Sequence, residues 1–213
     1  MKLVRLFAVC SAAAMLPAAM AQQWEVGAGA GAGIYTPKDM TLGSTSASAK
    51  FETNAAFSVW VGQNMGDRWG GELRYSYGLG DAQLKQGSTA AAFGAETHTI
   101  NYNFLLYTKP SESKTRPFFD AGAGVKFYRG TGTEAVTQPL SQYGLLTQAS
   151  DLTPVISVGG GVKIRLGTHA WLRLDIHDYM STFPKQVITP NFGVSAGGWM
   201  HDFVPMVAVS FGQ

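Results

Sequence analysis

Three observations predict an all-β fold for this chain, an eight-stranded antiparallel up-and-down transmembrane β-barrel. Eight segments of roughly 9–13 residues alternate apolar and polar side chains, as strands with two different faces do. The gaps between these segments are alternately long and short. The chain also begins with an export signal. Strands that cross a bilayer must span a fixed thickness, and only the outer face of the membrane leaves room for long loops.

The export signal is predicted in residues 1–21. Lys2 and Arg5 supply the basic start, and an apolar run over residues 6–15 leads to the cleavage motif Ala19-Met20-Ala21. We therefore expect residues 22–213 to form one barrel domain. The apolar run is shorter than the ~18 residues that a membrane-spanning helix needs.

Charge and cysteine usage narrow the choice of partners. The full chain has 16 Lys and Arg against 14 Asp and Glu, and loss of Lys2 and Arg5 leaves 14 of each. A neutral chain argues against a nucleic-acid partner. Cys10 is the only cysteine and is lost with the signal, so no disulfide is expected in the mature protein.

The predicted strands, taken in order, cover about residues 24–35, 51–63, 69–79, 97–107, 118–129, 154–166, 170–179 and 199–211. Short turns separate them near residues 64–68, 109–116 and 167–169. Long gaps rich in small and polar residues lie near 36–50, 80–94, 130–152 and 180–197. We expect these four gaps to be mobile extracellular loops.

The first four strands each separate an apolar face from a polar one. The apolar faces, expected to meet lipid, include Val26, Phe51, Phe57, Val59, Val61, Leu73, Tyr75, Ile100, Tyr102 and Phe104. The polar faces carry Glu25, Glu52, Asn54, Ser58, Glu72, Arg74, Ser76, Thr97, Thr99, Asn101 and Asn103. Strand one has glycine at positions 27, 29, 31 and 33 of this inner face. An eight-stranded barrel is only wide enough for side chains to fill it, so these glycines leave space for long basic side chains from the opposite wall.

The last four strands repeat the pattern. Their apolar faces include Phe119, Val125, Phe127, Ile156, Val158, Ile164, Leu174, Ile176, Val207 and Phe211. Their polar faces carry Asp120, Lys126, Lys163, Arg165, Arg173, Asp175, His177 and Asp202. Pro205 interrupts the last strand and removes a ladder hydrogen bond, which predicts a weak seam there.

A soluble β-sandwich would alternate in the same way but bury its apolar faces. Besides the export signal, two features favour a membrane barrel, in which the apolar faces point outward and the polar faces point into the lumen. Aromatic residues cluster at predicted strand ends, as interfacial girdles do: Trp69, Tyr77, Tyr107, Phe127, Trp199 and Phe211. The polar faces also carry nearly balanced charges, as a narrow lumen requires. The predicted lumen charge network is Glu25, Glu52, Glu72, Arg74, Asp120, Lys126, Lys163, Arg165, Arg173 and Asp175.

Two stretches resemble the outer-membrane β-barrel superfamily, which is typified by the transmembrane domain of outer membrane protein A. They are PFFDAGAGVKFY (117–128) and VGGGVKIRLGTHAWLRLDIHDYM (158–180). Leu172, Arg173, Asp175 and Tyr179 match its strand form L-R-x-[DE]-x-x-x-Y. The resemblance implies a location in the outer membrane of a Gram-negative envelope, contact with lipid and lipopolysaccharide, and insertion by the barrel assembly machinery. The family's terminal aromatic is displaced here, because Gly212 and Gln213 follow Phe211.

No motif in the chain predicts a catalytic, cofactor or metal site. The four histidines have no spacing that sets metal geometry, and no serine is placed convincingly beside one of them. Three functions remain open. The first is a structural or surface-binding barrel that meets partners through its loops. The alternatives are a narrow, porin-like ion pore gated by lumen salt bridges and a lipid A-modifying enzyme.

Overall fold

The computed structural model describes residues 23–212, so the predicted signal peptide and cleavage site lie outside the described residues. Eight strands form a closed antiparallel barrel: β1 (Gln23–Tyr35), β4 (Asn54–Asn64), β5 (Trp69–Leu79), β8 (Ala95–Tyr107), β9 (Thr115–Gly130), β11 (Ser150–Arg165), β12 (Ala170–Thr182) and β14 (Trp199–Gly212). Each pairs with the barrel strands before and after it in the chain, and β14 closes on β1. The predicted fold class is confirmed. In the described part of the chain, no helix is long and apolar enough to cross a membrane.

The barrel wall has the inverted sense expected of a membrane barrel. Phe104 and Phe119 point outward and are 59% and 66% exposed, whereas Arg74 and Arg173 point inward and are 0% and 1% exposed. This arrangement is stable only where the surroundings of the barrel are apolar, because apolar surface exposed to water is costly.

The four long connections are not irregular loops. Two of them form a four-stranded sheet, ordered β2-β3-β6-β7, from β2 (Lys38–Leu42), β3 (Thr45–Phe51), β6 (Ala82–Gln86) and β7 (Thr89–Phe93). The other two contribute a short pair, β10 (Gly144–Leu146) with β13 (Ile188–Pro190). The prediction of mobile loops therefore missed folded structure. Two of the pairings are local hairpins, β2 with β3 and β6 with β7, whereas β3 with β6 and β10 with β13 join different connections that are far apart in the chain.

These connections enclose an apolar core at the loop end of the barrel, which we call the cap core. Its buried members are Tyr35, Met40, Ala47, Ala49, Phe51, Ala82, Leu84, Ala91, Phe93, Ala95, Tyr128, Leu140, Tyr143, Leu146, Phe183, Val187, Ile188 and Met200. Phe51 was expected on the lipid face but is 1% exposed here. Its ring centroid lies 5.3 Å from that of Tyr35 and 5.1 Å from that of Tyr128.

The seam at Pro205 is visible in the β1–β14 ladder. Gly31 pairs with Met206 and Ile34 with Phe203, but the two positions between them are unpaired in the described strands. Pro205 stands opposite this gap while keeping its register with Ile176 on β12. Proline has no backbone N–H to donate, which accounts for a break on the β1 side of β14 while the pairing with β12 is kept.

Candidate functional site in the barrel lumen

Four charged side chains form a closed square across the middle of the lumen. Glu72 and Arg74 lie on β5, and Arg173 and Asp175 lie on β12, which is diametrically opposite in the barrel. Arg74 Nε donates to Glu72 Oε1 at 2.9 Å, and its Nη2 reaches Asp175 Oδ2 at 3.2 Å. Arg173 Nη1 lies 2.6 Å from Glu72 Oε2, and its Nε lies 2.6 Å from Asp175 Oδ2. Two strands from opposite walls are thereby tied together.

One further ion pair crosses the lumen on each side of this square. Towards the loop end, Lys126 Nζ on β9 donates to Asp202 Oδ2 on β14 at 2.6 Å. Towards the short-turn end, Lys163 on β11 is paired with Glu25 on β1. Both lysines are buried, so each amine depends on its carboxylate partner for compensation.

Trp60 supports the central square and was missed by the sequence analysis. Its ring centroid lies 4.7 Å from the guanidinium carbon of Arg74 and 4.8 Å from that of Arg173. A Cβ added at Gly27 would lie 2.2 Å from the Trp60 ring, so this glycine makes room for the indole rather than for a basic side chain. The two-residue period from Ser58 would have placed Trp60 inward.

His177 sits beside the square, between two acidic side chains. Its Nε2 lies 3.2 Å from Asp120 Oδ1, and its Nδ1 lies 3.8 Å from Asp175 Oδ1. A Cβ at Gly159 would come within 2.6 Å of the imidazole, so the glycine-rich part of β11 provides the space that this ring occupies.

Three tyrosines surround the amine of Lys126: Tyr35 and Tyr128, which belong to the cap core, and Tyr179, which does not. Tyr179 lies 3.2 Å from the Ser76 hydroxyl, Tyr128 lies 2.6 Å from that of Ser181, and Tyr35 lies 3.1 Å from that of Thr97. The rings of these amphipathic side chains pack among apolar residues while their hydroxyl groups remain hydrogen-bonded.

Two members of the predicted network lie elsewhere. Glu52 is half-buried in the break between β3 and β4 and accepts a hydrogen bond from Gln83 on β6. The chain leaves the barrel wall at this break, so strand periodicity no longer applies to Glu52. Arg165 is exposed at the short-turn mouth, where its Nη2 donates to the Ser111 carbonyl at 2.8 Å. Among the hydrogen bonds and ion pairs of residues 23–212, none joins Glu52 or Arg165 to the four residues of the central square.

The short-turn mouth holds two further residues placed differently from expectation. Tyr107 was expected in an aromatic girdle but is buried in the lumen. Arg116 was expected in the short turn near residues 109–116 but lies in β9 and is 2% exposed. Its guanidinium carbon lies 3.8 Å from the Tyr107 ring centroid, and its Nη2 donates to the Asp67 carbonyl at 3.0 Å.

Two histidines take part in polar contacts on the outer wall. The ring of His98 lies 2.8 Å from the Tyr75 hydroxyl, and that of His201 lies 2.7 Å from Asp178 Oδ2. Within residues 23–212, no serine hydroxyl is hydrogen-bonded to a histidine ring, and no three His, Cys, Asp or Glu side chains are grouped to hold a metal ion.

This geometry defines an integral membrane β-barrel, and comparison with known proteins assigns its class. The family model described as "Outer membrane protein beta-barrel domain" matches residues 6–199. The chain belongs to this family. It is therefore a β-barrel protein of the Gram-negative outer membrane, in contact with the lipid and lipopolysaccharide there. No curated protein sequence matches the chain.

The chain is similar to several solved structures at low sequence identity. Neisserial surface protein A is 9% identical, with a TM-score of 0.51 over 90% of this chain and 99% of that one. Ail, the attachment invasion locus protein of Yersinia pestis, is 9% identical, with a TM-score of 0.45 over 91% and 100%. The outer membrane protease OmpT from Escherichia coli is 6% identical, with a TM-score of 0.49 over 90% and 97%. The likeness to the neisserial protein supports the fold alone.

Proposed function

We propose that the protein is a structural, surface-binding barrel with a closed lumen, whose folded cap faces the outside of the cell. The observation that supports this proposal is that two successive layers of side chains lie across the interior of the barrel. Salt bridges join opposite walls in the middle of the lumen, and the cap core fills the loop end. A conducting pore needs a continuous hydrated path, which a buried cross-lumen square interrupts.

Planar-bilayer recording tests the closed lumen. The purified protein is expected to give no discrete conductance steps over a range of voltages. An Arg74→Ala, Arg173→Ala double variant removes both cations of the square but keeps the cap core, so conductance steps from this variant alone would show that the square is the layer that closes the lumen. Discrete steps from the wild type would overturn the proposal in favour of a narrow gated pore. The lipid A-modifying alternative is tested by lipid A mass spectrometry with and without the gene, where an unchanged profile is expected.

The proposed topology places the short turns in the periplasm and the cap at the cell surface. Val136 and Phe192 project from the cap and are fully exposed. In the proposed orientation both side chains face the outside of the cell, where an extracellular partner would meet them. Insertion of such a closed barrel would be the task of the barrel assembly machinery.

Cysteine labelling of intact cells tests this topology, because the predicted mature chain has no cysteine. Phe192→Cys should react with a membrane-impermeant maleimide on intact cells. Thr168→Cys, exposed in a short turn, should react only after lysis. The opposite labelling pattern would reverse the proposed orientation.

A further inference from the structure

A polar pocket of about 290 Å³ opens at the short-turn mouth of the barrel. Side chains from the barrel strands β1, β9, β11 and β12 line it, including Glu25, Arg116, Lys163, Arg165 and Trp171. A water molecule occupies about 30 Å³ in the liquid, so the pocket has room for a small solute or a lipid headgroup. It lies beyond the last cross-lumen ion pair and is separate from the central square.

Three cations on two neighbouring strands meet in this pocket. Arg116 on β9 is directly opposite Lys163 on β11, and Arg165 follows two residues later on the same face. Like charges directly opposite each other in a sheet are destabilising. Glu25 pairs with Lys163 and offsets one of the three charges. An anion would offset the others.

Neither guanidinium in the pocket has a carboxylate partner among the described residues. Within residues 23–212, Arg116 and Arg165 occur in none of the ion pairs, and the buried Arg116 Nε has no hydrogen-bond partner. Glu112, the other acidic residue of the lining, is exposed and is likewise unpaired in that part of the chain. A buried guanidinium donor without an acceptor is costly, which points to a ligand that supplies one.

Both guanidinium groups are held in place before any ligand arrives. Arg116 lies over the Tyr107 ring, and the guanidinium carbon of Arg165 lies 4.6 Å from the Trp171 ring centroid. Each donates a single hydrogen bond to a turn carbonyl, which leaves most of its N–H donors available. The planar fork of arginine matches the oxygens of phosphate, and a stacked fork loses little freedom on binding.

We propose that this pocket binds a phosphate group, carried by a small solute or by a phospholipid headgroup, that reaches the barrel from the short-turn side. Arg116 and Arg165 would each donate to phosphate oxygens, with the Lys163–Glu25 pair behind them. This site is independent of whether the lumen conducts.

Titration with inorganic phosphate tests the proposal on the refolded protein in an uncharged detergent at constant ionic strength, with chloride as the replaced anion. Calorimetry should show saturable phosphate binding. Arg165→Gln should weaken it by roughly tenfold or more, because a charge-assisted pair is lost. Arg165 is exposed, so this variant should fold even where Arg116→Gln does not. Arg68→Gln is the matched control, since Arg68 is exposed at the same end and donates to the Thr108 carbonyl.

The source of the phosphate is distinguished in nanodiscs. Phosphatidylglycerol added to discs of a phosphate-free glycolipid should weaken phosphate binding if a headgroup occupies the pocket, and should leave it unchanged if the ligand is a free solute. Either result supports a phosphate site. Absence of saturable binding, or equal affinity in the wild type, Arg165→Gln and Arg68→Gln, would overturn the proposal.

Discussion

The barrel interior contains two cores of opposite chemistry. The middle and short-turn parts hold buried ions, such as Arg74, Glu72 and Arg173, whereas the loop end holds the apolar cap core around Phe51 and Leu84. Where lipid surrounds the barrel wall, apolar side chains point outward and charged ones inward. Where the hairpins extend above the wall, apolar side chains are buried instead. The surroundings of the chain therefore decide which side chains are buried, and these surroundings change from lipid to water along the length of one barrel.

The two cores also differ in what stabilises them. Each lumen ion is favourable only while its partner is present, because an uncompensated buried charge is costly. The cap core depends on volume and apolar area, and it loses stability in proportion to the cavity that a substitution leaves. Substitutions in the two regions should therefore produce different signatures.

The largest effect is expected in the central square. Arg173→Ala leaves both Glu72 and Asp175 dependent on Arg74, and it should lower the free energy of unfolding by about 3–5 kcal/mol. The urea unfolding midpoint of the folded barrel in detergent measures this. Lys85→Ala, at an exposed position of β6, should change it by no more than about 0.5 kcal/mol. Equal midpoints for Arg173→Ala and the wild type would mean that the square adds nothing to stability.

A more local effect is expected in the cap core. Leu84→Ala removes a fully buried side chain from β6 and should destabilise the cap by about 2–5 kcal/mol. Because the cap contributes no strand to the closed barrel, the main signature should be faster proteolytic cleavage in residues 36–53 and 80–94, with a smaller shift of the barrel midpoint. Leu145→Ala, at an exposed position, should leave the cleavage rate unchanged. A midpoint shift as large as that of Arg173→Ala would show that the two cores unfold as one unit.

The smallest effect is expected where Gly27 contacts Trp60, the aromatic residue that packs against the two arginines of the central square. Gly27→Ala places a methyl group against the Trp60 ring and should cost about 1–3 kcal/mol by overpacking. The same change at Gly167, where an added Cβ meets open space, should stay within about 0.5 kcal/mol. If both glycine variants have the same urea midpoint, the Trp60 ring moves aside without loss of stability. The indole would then not be a fixed support for the two arginines.

Local periodicity explains why so much of the barrel wall was predictable. Successive strand residues point to opposite faces, so a two-residue period assigns Arg74, Lys126 and Arg173 to one side without reference to any other strand. Balanced charge and the export signal then favoured the inverted sense. The same rule failed at Glu52 and Phe51, because a strand break within the second predicted strand carries those residues into the cap.

The sequence by itself determined the number of strands, their up-and-down order and the polar character of the interior, since these follow from spacing along the chain. Only the tertiary structure decided the partners. Arg74 meets Asp175 101 residues away because β5 and β12 stand opposite each other in the closed barrel. Trp60 lies beneath both arginines because Gly27 on the next strand leaves room for it. The register and stagger of eight strands set these contacts, and both are collective properties of barrel closure that no single segment encodes.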